Sequence, residues 1–459
     1  MKEIRLNAFD MNCVSHQASG LWRHPRDRSA QYNTLSYWIE LARLLERGLF
    51  DTLFLADVLG VYDVYGASPD AALRNASQVP VNDPAMLVPA MAAVTRNLGF
   101  GVTCTLSYEH PFPFARRMST LDHLTDGRVG WNIVTGYLNS AARGTGQARQ
   151  HGHDTRYDIA DEYMQAVYGL WEGSWEDGAV LRDRASGVFT DPSKVHRIRH
   201  EGKYLSVDAI HLCEPSPQRT PVLFQAGASP RGQEFAATHA ECVFIAGPSR
   251  EVVRQTTTGI RERARRAGRA PGEPLVFALL TVITAPTHEE AVFKYNEYQR
   301  YISTEGALAL LSGWTGVDFS QYALDAPVRH VRNDAIHSAI DSLTVMDPER
   351  VWTVGELARH AAIGGMGPTI VGSPAEIADQ MEAWVAQTGI DGFNLAYAVA
   401  PETFEDIVDL VIPELQRRGR YRTAYPPGTL RQKLFGRGDR LGAEHAARRV
   451  VRERVQTDD

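Results

Sequence analysis

The chain has 459 residues and a formal net charge of -7, with 44% hydrophobic and 22% charged residues. This composition is typical of a soluble globular protein with a large core, and it argues against a nucleic-acid binder that depends on a broad basic surface. The four cysteines lie far apart and form no CxxC pair, which excludes a disulfide framework and a structural zinc site as the basis of the fold.

The first residues lack the long apolar segment of a secretory signal. No stretch of the sequence approaches the ~18 consecutive apolar residues of a membrane span. We therefore expect a cytoplasmic protein with neither a membrane nor a nucleic acid as its partner.

Short β-type runs alternate with helix-type segments along the chain. Apolar residues follow helical spacing in four clear segments: 34–47, 84–95, 113–124 and 157–172. The predicted strands, in chain order, are 3–9, 51–57, 98–105, 128–136, 221–227, 242–247, 276–285 and 391–399. Eight strands, most of them followed by a helix, predict an α/β fold of the (β/α)8 TIM-barrel type.

Four long, turn-rich connections interrupt this rhythm, at about 58–82, 137–155, 175–218 and 302–370. In such barrels the chemistry sits at the C-terminal ends of the strands, so these insertions should roof a deep pocket there. We predict one barrel domain over residues 1–420.

A basic C-terminal arm, 421–459, should follow the barrel. From Arg417 to the end, the chain has 12 Arg or Lys and 5 Asp or Glu residues. The arm is either a solvated terminus or a clasp on an acidic neighbouring subunit, and the second interpretation places it at a subunit interface.

The segment QAGASPRG, 225–232, lies between a predicted strand and a probable helix start. Its small residues, Gly227 and Ala228, let a ligand approach the backbone, and Ser229 can cap the helix. Free N–H groups at a helix start favour a phosphate. The pattern therefore predicts a phosphate cradle, although an ordinary Gly/Ser turn has the same appearance.

Polar residues at the ends of predicted strands are further candidates. They are Asp57, Thr103, Thr105, Asn132 and Thr135. Each alone could be a helix cap or a satisfied strand-end group, but their joint occurrence favours a site. His153 and Tyr157 share one helix face at i and i+4. His151 and His153 lack a third ligand of clear spacing, so we predict no metal.

Several co-linear segments carry a resemblance to a known family. They are 51–57 (DTLFLAD), 127–135 (GRVGWNIVT), 151–163 (HGHDTRYDIADEY), 189–207 (FTDPSKVHRIRHEGKYLSV), 221–244 (PVLFQAGASPRGQEFAATHAECVF), 391–397 (DGFNLAY) and 421–434 (YRTAYPPGTLRQKL). Together they resemble the nitrilotriacetate, dibenzothiophene-sulfone and pristinamycin monooxygenases, a branch of the bacterial luciferase-like flavin enzymes. The resemblance extends from Leu6 to about Phe435.

The resemblance implies a barrel that uses FMN and O2. The FMN would arrive as FMNH2 from a separate NAD(P)H:flavin reductase, in a two-component monooxygenase. The substrate would be a small organic molecule of aromatic, heterocyclic, sulfur-containing or nitrogen-containing type. A homodimer or homotetramer would be the functional assembly.

Residue by residue, the resemblance implies FMN contacts from Asp57, Thr103, His153, Tyr157 and Ser229. Tyr157 and the turn with Gly227, Ala228 and Ser229 would hold the phosphate. Asp57, Thr103 and His153 would lie nearer the ring and ribityl chain, with Asn132 as a neighbour. His153 and His16 are the candidate catalytic groups, as proton or hydrogen-bond donors to the oxygens of a flavin peroxide.

The candidate substrate-pocket residues are Phe54, Trp22, Phe244 and Trp314. Phe54 and Phe244 match family positions near the ring, although both also suit an ordinary barrel core. Trp22, in a polar and aromatic group after the first strand, could equally belong to a surface loop.

Two departures from the family pattern put a dibenzothiophene-type substrate in doubt. Trp314 stands where the sulfone enzymes carry a histidine, and Gly136 stands where relatives commonly carry a serine. Two other functions stay open on the sequence: a deazaflavin-dependent dehydrogenase, and a flavin-binding protein without catalysis.

Overall fold

Eight of the strands are parallel and close into a barrel in the computed structural model, which describes residues 2–227, 229–328 and 351–448. The strands are β1 (Arg5–Met11), β2 (Thr52–Ala56), β3 (Gly99–Thr105), β4 (Val129–Val134), β5 (Val180–Asp183), β6 (Val188–Thr190), β7 (Ile198–Glu201), β8 (Ser206–Ala209), β9 (Val222–Gln225), β10 (Cys242–Ile245), β11 (Leu275–Thr284), β12 (Thr369–Gly372) and β13 (Gly392–Ala396). Around the barrel the order is β10, β9, β4, β3, β2, β1, β13 and β11, and β10 pairs with β11 to close the ring. The predicted TIM barrel is confirmed, and each of the eight predicted strands is a barrel strand.

Helices cover the outside of the barrel. They are α1 (Leu35–Arg47), α2 (Asp70–Arg74), α3 (Val88–Ala92), α4 (Pro111–Leu124), α5 (Asn139–Gly144), α6 (His153–Tyr168), α7 (Pro230–His239), α8 (Arg250–Arg266), α9 (His288–Gln299), α10 (Thr304–Thr315), α11 (Val354–Ala361), α12 (Pro374–Thr388), α13 (Glu402–Asp406), α14 (Ile412–Arg417) and α15 (Leu430–Phe435). In α1, Trp38, Leu41 and Leu45 recur at helical spacing and are buried against the barrel. None of the helices within the described ranges is long and apolar enough to cross a membrane.

A layer of phenylalanine rings fills the middle of the barrel: Phe9, Phe54, Phe224, Phe244 and Phe277. The rings of Phe54 and Phe244 have centroids 4.1 Å apart. Space for this layer comes from glycines on the neighbouring strands. A Cβ atom at Gly130 would lie 2.2 Å from the Phe224 ring, and one at Gly101 would lie 2.7 Å from the Phe54 ring. The interior is therefore a packed aromatic plug and not a channel.

The C-terminal segment closes the N-terminal end of the barrel. Helix α15 begins with a capping box between Thr429 and Gln432, and Leu430 and Leu434 pack against the barrel's interior cluster. Arg431 is fully buried and forms a two-pronged pair with Glu241, at 2.7 and 2.9 Å. The predicted extended arm is thus packed on its own barrel as far as residue 448, because its apolar residues find cover there. Its role at a subunit interface stays a prediction, and residues 449–459 lie outside the described part.

The four predicted insertions have secondary structure of their own. Residues 58–82 contain α2, residues 137–155 contain α5, and residues 175–218 form the hairpins β5–β6 and β7–β8. In the fourth, at 302–370, α10 and α11 pack around a separate apolar cluster that includes Leu308, Trp352 and Leu357. The part at 329–350 lies outside the described residues.

The Arg431–Glu241 pair generates a stability prediction. Arg431→Met leaves the buried Glu241 carboxylate without its cation, which should lower the free energy of unfolding by ~3–5 kcal/mol. Urea denaturation followed by circular dichroism measures this loss. Arg254→Gln is the matched control, because Arg254 pairs with Glu251 on the exposed face of α8. Equal stabilities of the Arg431→Met variant and the control would contradict the prediction.

Candidate functional site

A cavity of about 860 Å³ lies at the C-terminal end of the barrel strands. Its walls come from the residues that follow β2, β3, β4 and β9, together with the first turns of α6 and α7. Trp314, at the end of α10, closes one side. The cavity therefore sits above the phenylalanine plug, where TIM barrels place their chemistry.

The start of α7 forms one end of the cavity. The Ser229 side chain caps this helix by accepting a hydrogen bond from the backbone N–H of Gly232, at 3.1 Å. The His153 Nε2 atom lies 3.1 Å from the same hydroxyl, and the Tyr157 ring packs 5.2 Å from the His153 ring. A Cβ atom at Gly232 would come within 2.7 Å of the Tyr157 hydroxyl. The predicted cluster of His153, Tyr157 and Ser229 is thus brought together, and Ala228 lies outside the described residues.

Buried polar groups in this end of the cavity are poised to donate or accept hydrogen bonds. Burial raises the pKa of the Tyr157 hydroxyl, so this group is a neutral donor near pH 7. Gln225 is 2% exposed, lines the cavity, and its Oε1 atom has no hydrogen-bond partner among the described residues. Gly227 lies beside it in the same wall. An unsatisfied acceptor and a neutral donor, both facing a cavity, fit a polar ligand.

Two arginines also line this end, and sequence reasoning missed both. Arg231 bonds the Asp161 carboxylate, and its guanidinium lies 5.5 Å from the centre of the Tyr157 ring. Arg156 donates from Nη1 to the backbone carbonyl of Gly136. Their only sequence signal was position: Arg156 stands inside the segment 151–163, and Arg231 inside 225–232.

Thr103 and Asn132 lie next to each other on β3 and β4. The Asn132 side-chain amide donates to the Thr103 hydroxyl at 2.9 Å, and both side chains are buried. The Asn132 Oδ1 atom has no partner among the described residues.

Asp57, at the end of β2, lines the cavity, and burial together with the charge of Asp83 raises its pKa to about 7. Asp57 is therefore close to half protonated at neutral pH.

Trp314 and Tyr137 line the opposite side of the cavity, and a chain of hydrogen bonds joins them to Tyr62 and Gln78 behind this wall. The Trp314 indole N–H donates to the Tyr62 hydroxyl at 3.2 Å. That hydroxyl also lies 2.7 Å from the Tyr137 hydroxyl and donates to the Gln78 Oε1 atom at 2.9 Å. The sequence did not indicate that Tyr62, Gln78 and Tyr137 meet. They come from two different insertions, whose relative positions no local pattern predicts. The network fixes Trp314 at the cavity wall.

The structure places the second histidine candidate, His16, outside the cavity lining. The His16 ring packs edge-on against Phe9, with centroids 4.3 Å apart, and it is 2% exposed. Burial lowers the pKa of His16 to about 3. The His16 ring is therefore neutral at pH 7 and can still donate a hydrogen bond from its one N–H group, so its catalytic role stays a prediction.

The cofactor candidates Thr103 and Asn132 lie outside the cavity lining, and so do three of the pocket candidates. Phe54 and Phe244 belong to the phenylalanine plug below it, because their side chains point into the barrel interior. Trp22 is 37% exposed, in the short turn Leu21–Arg23 on the surface. The roles of these residues beside a ligand stay predictions. Of the substrate-pocket candidates, Trp314 lines the cavity.

The described ranges contain no group of three or more His, Cys, Asp or Glu side chains arranged to hold a metal ion. The side chains that line the cavity carry hydroxyl, amide, imidazole, guanidinium and carboxylate groups.

Known proteins resemble this chain over almost its whole length. The family model of luciferase-like monooxygenases matches residues 17–392. Dimethyl-sulfide monooxygenase of Hyphomicrobium sulfonivorans is 55% identical over 97% of this chain and 93% of its own. Long-chain alkane monooxygenase of Geobacillus thermodenitrificans is 52% identical over 98% of both chains.

One solved structure adds a flavin to the comparison. A crystal structure of riboflavin lyase with modified FMN and its substrate riboflavin matches with a TM-score of 0.90 and 36% identity, over 98% of this chain and 99% of that one. The predicted family and the predicted oxygen-incorporating class of enzyme are both confirmed by these matches. The chain belongs to the luciferase-like monooxygenase family.

Proposed function

We propose that this protein is an FMNH2-dependent monooxygenase that uses O2 to oxidise a small organic substrate. A separate NAD(P)H:flavin reductase supplies the FMNH2. One observation carries the proposal: the helix-capping Ser229, the Tyr157 hydroxyl and the start of α7 converge at one end of a cavity whose other end lies under Trp314. A phosphate fits the first end, and the rest has room for a flavin ring and a substrate.

The residues present fit FMN. The N–H groups at the start of α7, the Ser229 hydroxyl and the neutral Tyr157 hydroxyl are donors suited to its phosphate. The space at Gly232, which a Cβ atom would fill, keeps this cradle open. Asp57, Thr103 and Asn132 would lie toward the ring and ribityl chain. Reduced FMN supplies the electrons with which O2 is activated, and that chemistry belongs to the cofactor.

The protein's own contribution is to hold the reactants and exclude water. Val58, Leu59 and Ile133 give the cavity an apolar wall, and Trp314 covers it. The His153 Nδ1 atom lies 2.8 Å from Asp154, and its Nε2 atom faces Ser229, so both ring nitrogens are engaged at the phosphate end. We therefore assign His153 to phosphate positioning, where it orients the Ser229 hydroxyl.

Two of the similar relatives suggest the substrate class. Dimethyl sulfide and long-chain alkanes, the substrates in those relatives' names, are both uncharged and apolar. The substrate end here offers the Trp314 indole and the Tyr137 hydroxyl, which a hydrogen-bond chain through Tyr62 links to one another. We infer an uncharged small organic substrate that packs against Trp314.

Two rival functions make different predictions about the cofactor. A deazaflavin-dependent dehydrogenase would carry a deazaflavin and transfer hydride without consuming O2. A flavin-binding protein without catalysis would bind FMN but produce no oxidised product. Mass spectrometry of the bound cofactor excludes the first, and oxygen uptake with candidate substrates excludes the second. The cytoplasmic location and the homodimeric or homotetrameric state also stay predictions, of which light scattering tests the second.

Tyr157→Phe tests the phosphate cradle. The lost hydroxyl removes a charge-assisted hydrogen bond worth ~1.5–3 kcal/mol, so FMN affinity should fall by roughly ten- to a hundred-fold. Titration of FMN, followed by fluorescence quenching, measures the change. Tyr295→Phe, on α9 away from the cavity, is the control. Equal affinities in both variants would place Tyr157 outside the cradle.

The two-component mechanism predicts a dependence on the reductase. The isolated chain should oxidise NADH at a negligible rate, because it lacks a G-x-G-x-x-G dinucleotide motif after an early strand. Oxygen uptake with substrate should appear when FMNH2 is supplied, either by a flavin reductase or by chemical reduction. Rapid NADH oxidation by the isolated chain would contradict this mechanism.

Trp314 generates the prediction about the cover of the cavity. Its ring packs against the separate core of the 302–370 insertion and also against the loop cluster around Tyr62. Trp314→Ala should keep FMN binding but release more hydrogen peroxide per product, because water then reaches the flavin. Trp314→Phe, which loses the indole N–H bond and part of the ring's cover but keeps an aromatic ring, should have an intermediate effect. A fall in melting temperature with unchanged coupling of oxygen use to product would show a structural role instead.

A further inference from the structure

The cavity wall formed by Trp314 and Tyr137 has its side-chain hydrogens bound to a residue behind it. The indole N–H of Trp314 donates to the Tyr62 hydroxyl at 3.2 Å. The Tyr137 hydroxyl lies 2.7 Å from the same oxygen, and both Trp314 and Tyr137 line the cavity. Tyr62 itself is 2% exposed and lies behind this wall. Which atom donates in each of these bonds decides what the wall can offer a substrate.

Each hydrogen bond of Tyr62 has one possible direction. The Gln78 Nε2 atom lies 2.7 Å from the backbone carbonyl oxygen of His16, which can only accept, so the amide turns its Oε1 atom toward Tyr62. Because Oε1 also only accepts, the one hydrogen of the Tyr62 hydroxyl goes to Gln78. The two lone pairs of that hydroxyl then accept from the Trp314 indole and from the Tyr137 hydroxyl.

Both tyrosine hydroxyls keep their hydrogens at neutral pH. Burial raises the pKa of Tyr62, and it raises the pKa of Tyr137 to about 12. A neutral Tyr137 that donates its hydrogen to Tyr62 has only lone pairs of its oxygen to turn to the cavity. The Trp314 indole has a single N–H group, which is also engaged. Neither side chain of this wall therefore has a hydrogen left to donate to a ligand.

Glycines of α10 create the place of the Tyr62 ring. A Cβ atom at Gly313 would lie 1.8 Å from the Cδ1 atom of that ring. Glycine weakens a helix relative to alanine, and Gly313 has no positive φ that would require it, so close packing explains its presence. Gly306, two turns earlier on the same face, fits closely against Asn75, since a Cβ atom at Gly306 would lie 2.9 Å from the Asn75 Cβ atom. The packing of α10 on the 58–82 insertion thus fixes the oxygen that accepts both hydrogens of the wall.

A wall without side-chain donors treats apolar molecules and hydrogen-bond acceptors differently. A thioether or an alkane accepts weak hydrogen bonds at most, so it loses little when it leaves water for this wall. An S=O or C=O oxygen gives up hydrogen bonds to water and receives none from Trp314 or Tyr137 in return. The wall therefore disfavours the oxygenated form of a molecule relative to the form without oxygen.

We infer that Tyr62 is a positioning residue for substrate specificity. By accepting both hydrogens of the wall formed by Trp314 and Tyr137, it makes the cavity select a thioether or hydrocarbon over the same molecule with an S=O or C=O oxygen. The inference rests on the proposed function, since it concerns the substrate end of that site. It names the substrate class as uncharged molecules without a strong hydrogen-bond acceptor.

The experiment compares diethyl sulfide with diethyl sulfoxide, which differ by one acceptor oxygen. Affinities for the protein loaded with oxidised FMN are measured by calorimetric titration for wild type, Tyr62→Phe, Tyr137→Phe and the double variant. In Tyr62→Phe the Tyr137 hydroxyl loses its acceptor and can turn its hydrogen to the cavity. The affinity for the sulfoxide relative to the sulfide should then rise roughly ten-fold. Tyr137→Phe is the matched control, because it removes a hydroxyl from the same pair without freeing a hydrogen, so its ratio should stay near that of wild type.

The double variant should lose most of the gain, because the freed hydrogen is then absent. Each variant's sulfoxide affinity is compared with its own sulfide affinity, so a misfolded fraction cancels. An unchanged ratio in Tyr62→Phe would overturn the inference, and so would an equal rise in the double variant, which would show that added space admits the sulfoxide. FMN-loaded wild type that prefers the sulfoxide, or binds neither compound, would overturn it as well. Wild type that binds no FMN would contradict the proposed function itself, and the inference with it.

Discussion

The phenylalanine plug is the constraint on which the rest of this structure depends. Five rings occupy the barrel interior, and glycines at 101 and 130 stand where any side chain would collide with them. A barrel of eight strands has room for little more than its own side chains. Once the middle is full, ligands are restricted to the strand ends. The cavity therefore lies at the C-terminal ends of the strands, above the filled interior, and its polar groups come from the residues at these strand ends and from the insertions that follow them.

Closure at the opposite end depends on a different kind of interaction. The C-terminal helix brings Arg431 into full burial against Glu241, and Leu430 and Leu434 extend the barrel core. Such a buried pair adds little net stability compared with an apolar pair. Removing one partner is strongly destabilising, however, because it leaves the other charge buried and unpaired. It therefore specifies one docking position for the segment. At the upper end, Trp314 is held by a hydrogen bond to Tyr62 and by apolar packing against two clusters of the insertions.

The sequence predicted the parts of this molecule that depend on local patterns. Continuous apolar runs and helical spacing located all eight barrel strands, and a helix-capping serine after a glycine located the turn at Ser229. For Phe54 and Phe244 the sequence left two alternatives, a pocket position implied by the resemblance and an ordinary place in the barrel core. Strand periodicity indicates which residues share a face, but the level of a ring inside a barrel depends on strand stagger, which neighbouring chain segments set. Tyr62 was missed for a related reason, since its partners Tyr137 and Trp314 come from two other insertions, far apart in sequence.

Burial also decides which groups in and around the cavity carry charge. The tyrosine hydroxyls stay protonated because burial raises the pKa of Tyr157, and His16 stays neutral because burial lowers its pKa to about 3. Asp57, with a pKa raised to about 7, holds its proton part of the time. The positive charge of Arg231 is paired with the carboxylates of Asp158 and Asp161. Among the described residues that line the cavity, Arg156 keeps a positive charge and bonds a backbone carbonyl rather than a carboxylate. A neutral donor costs less to desolvate than a charged group does, so a wall built mainly of such donors loses its water more easily than a wall of charges would.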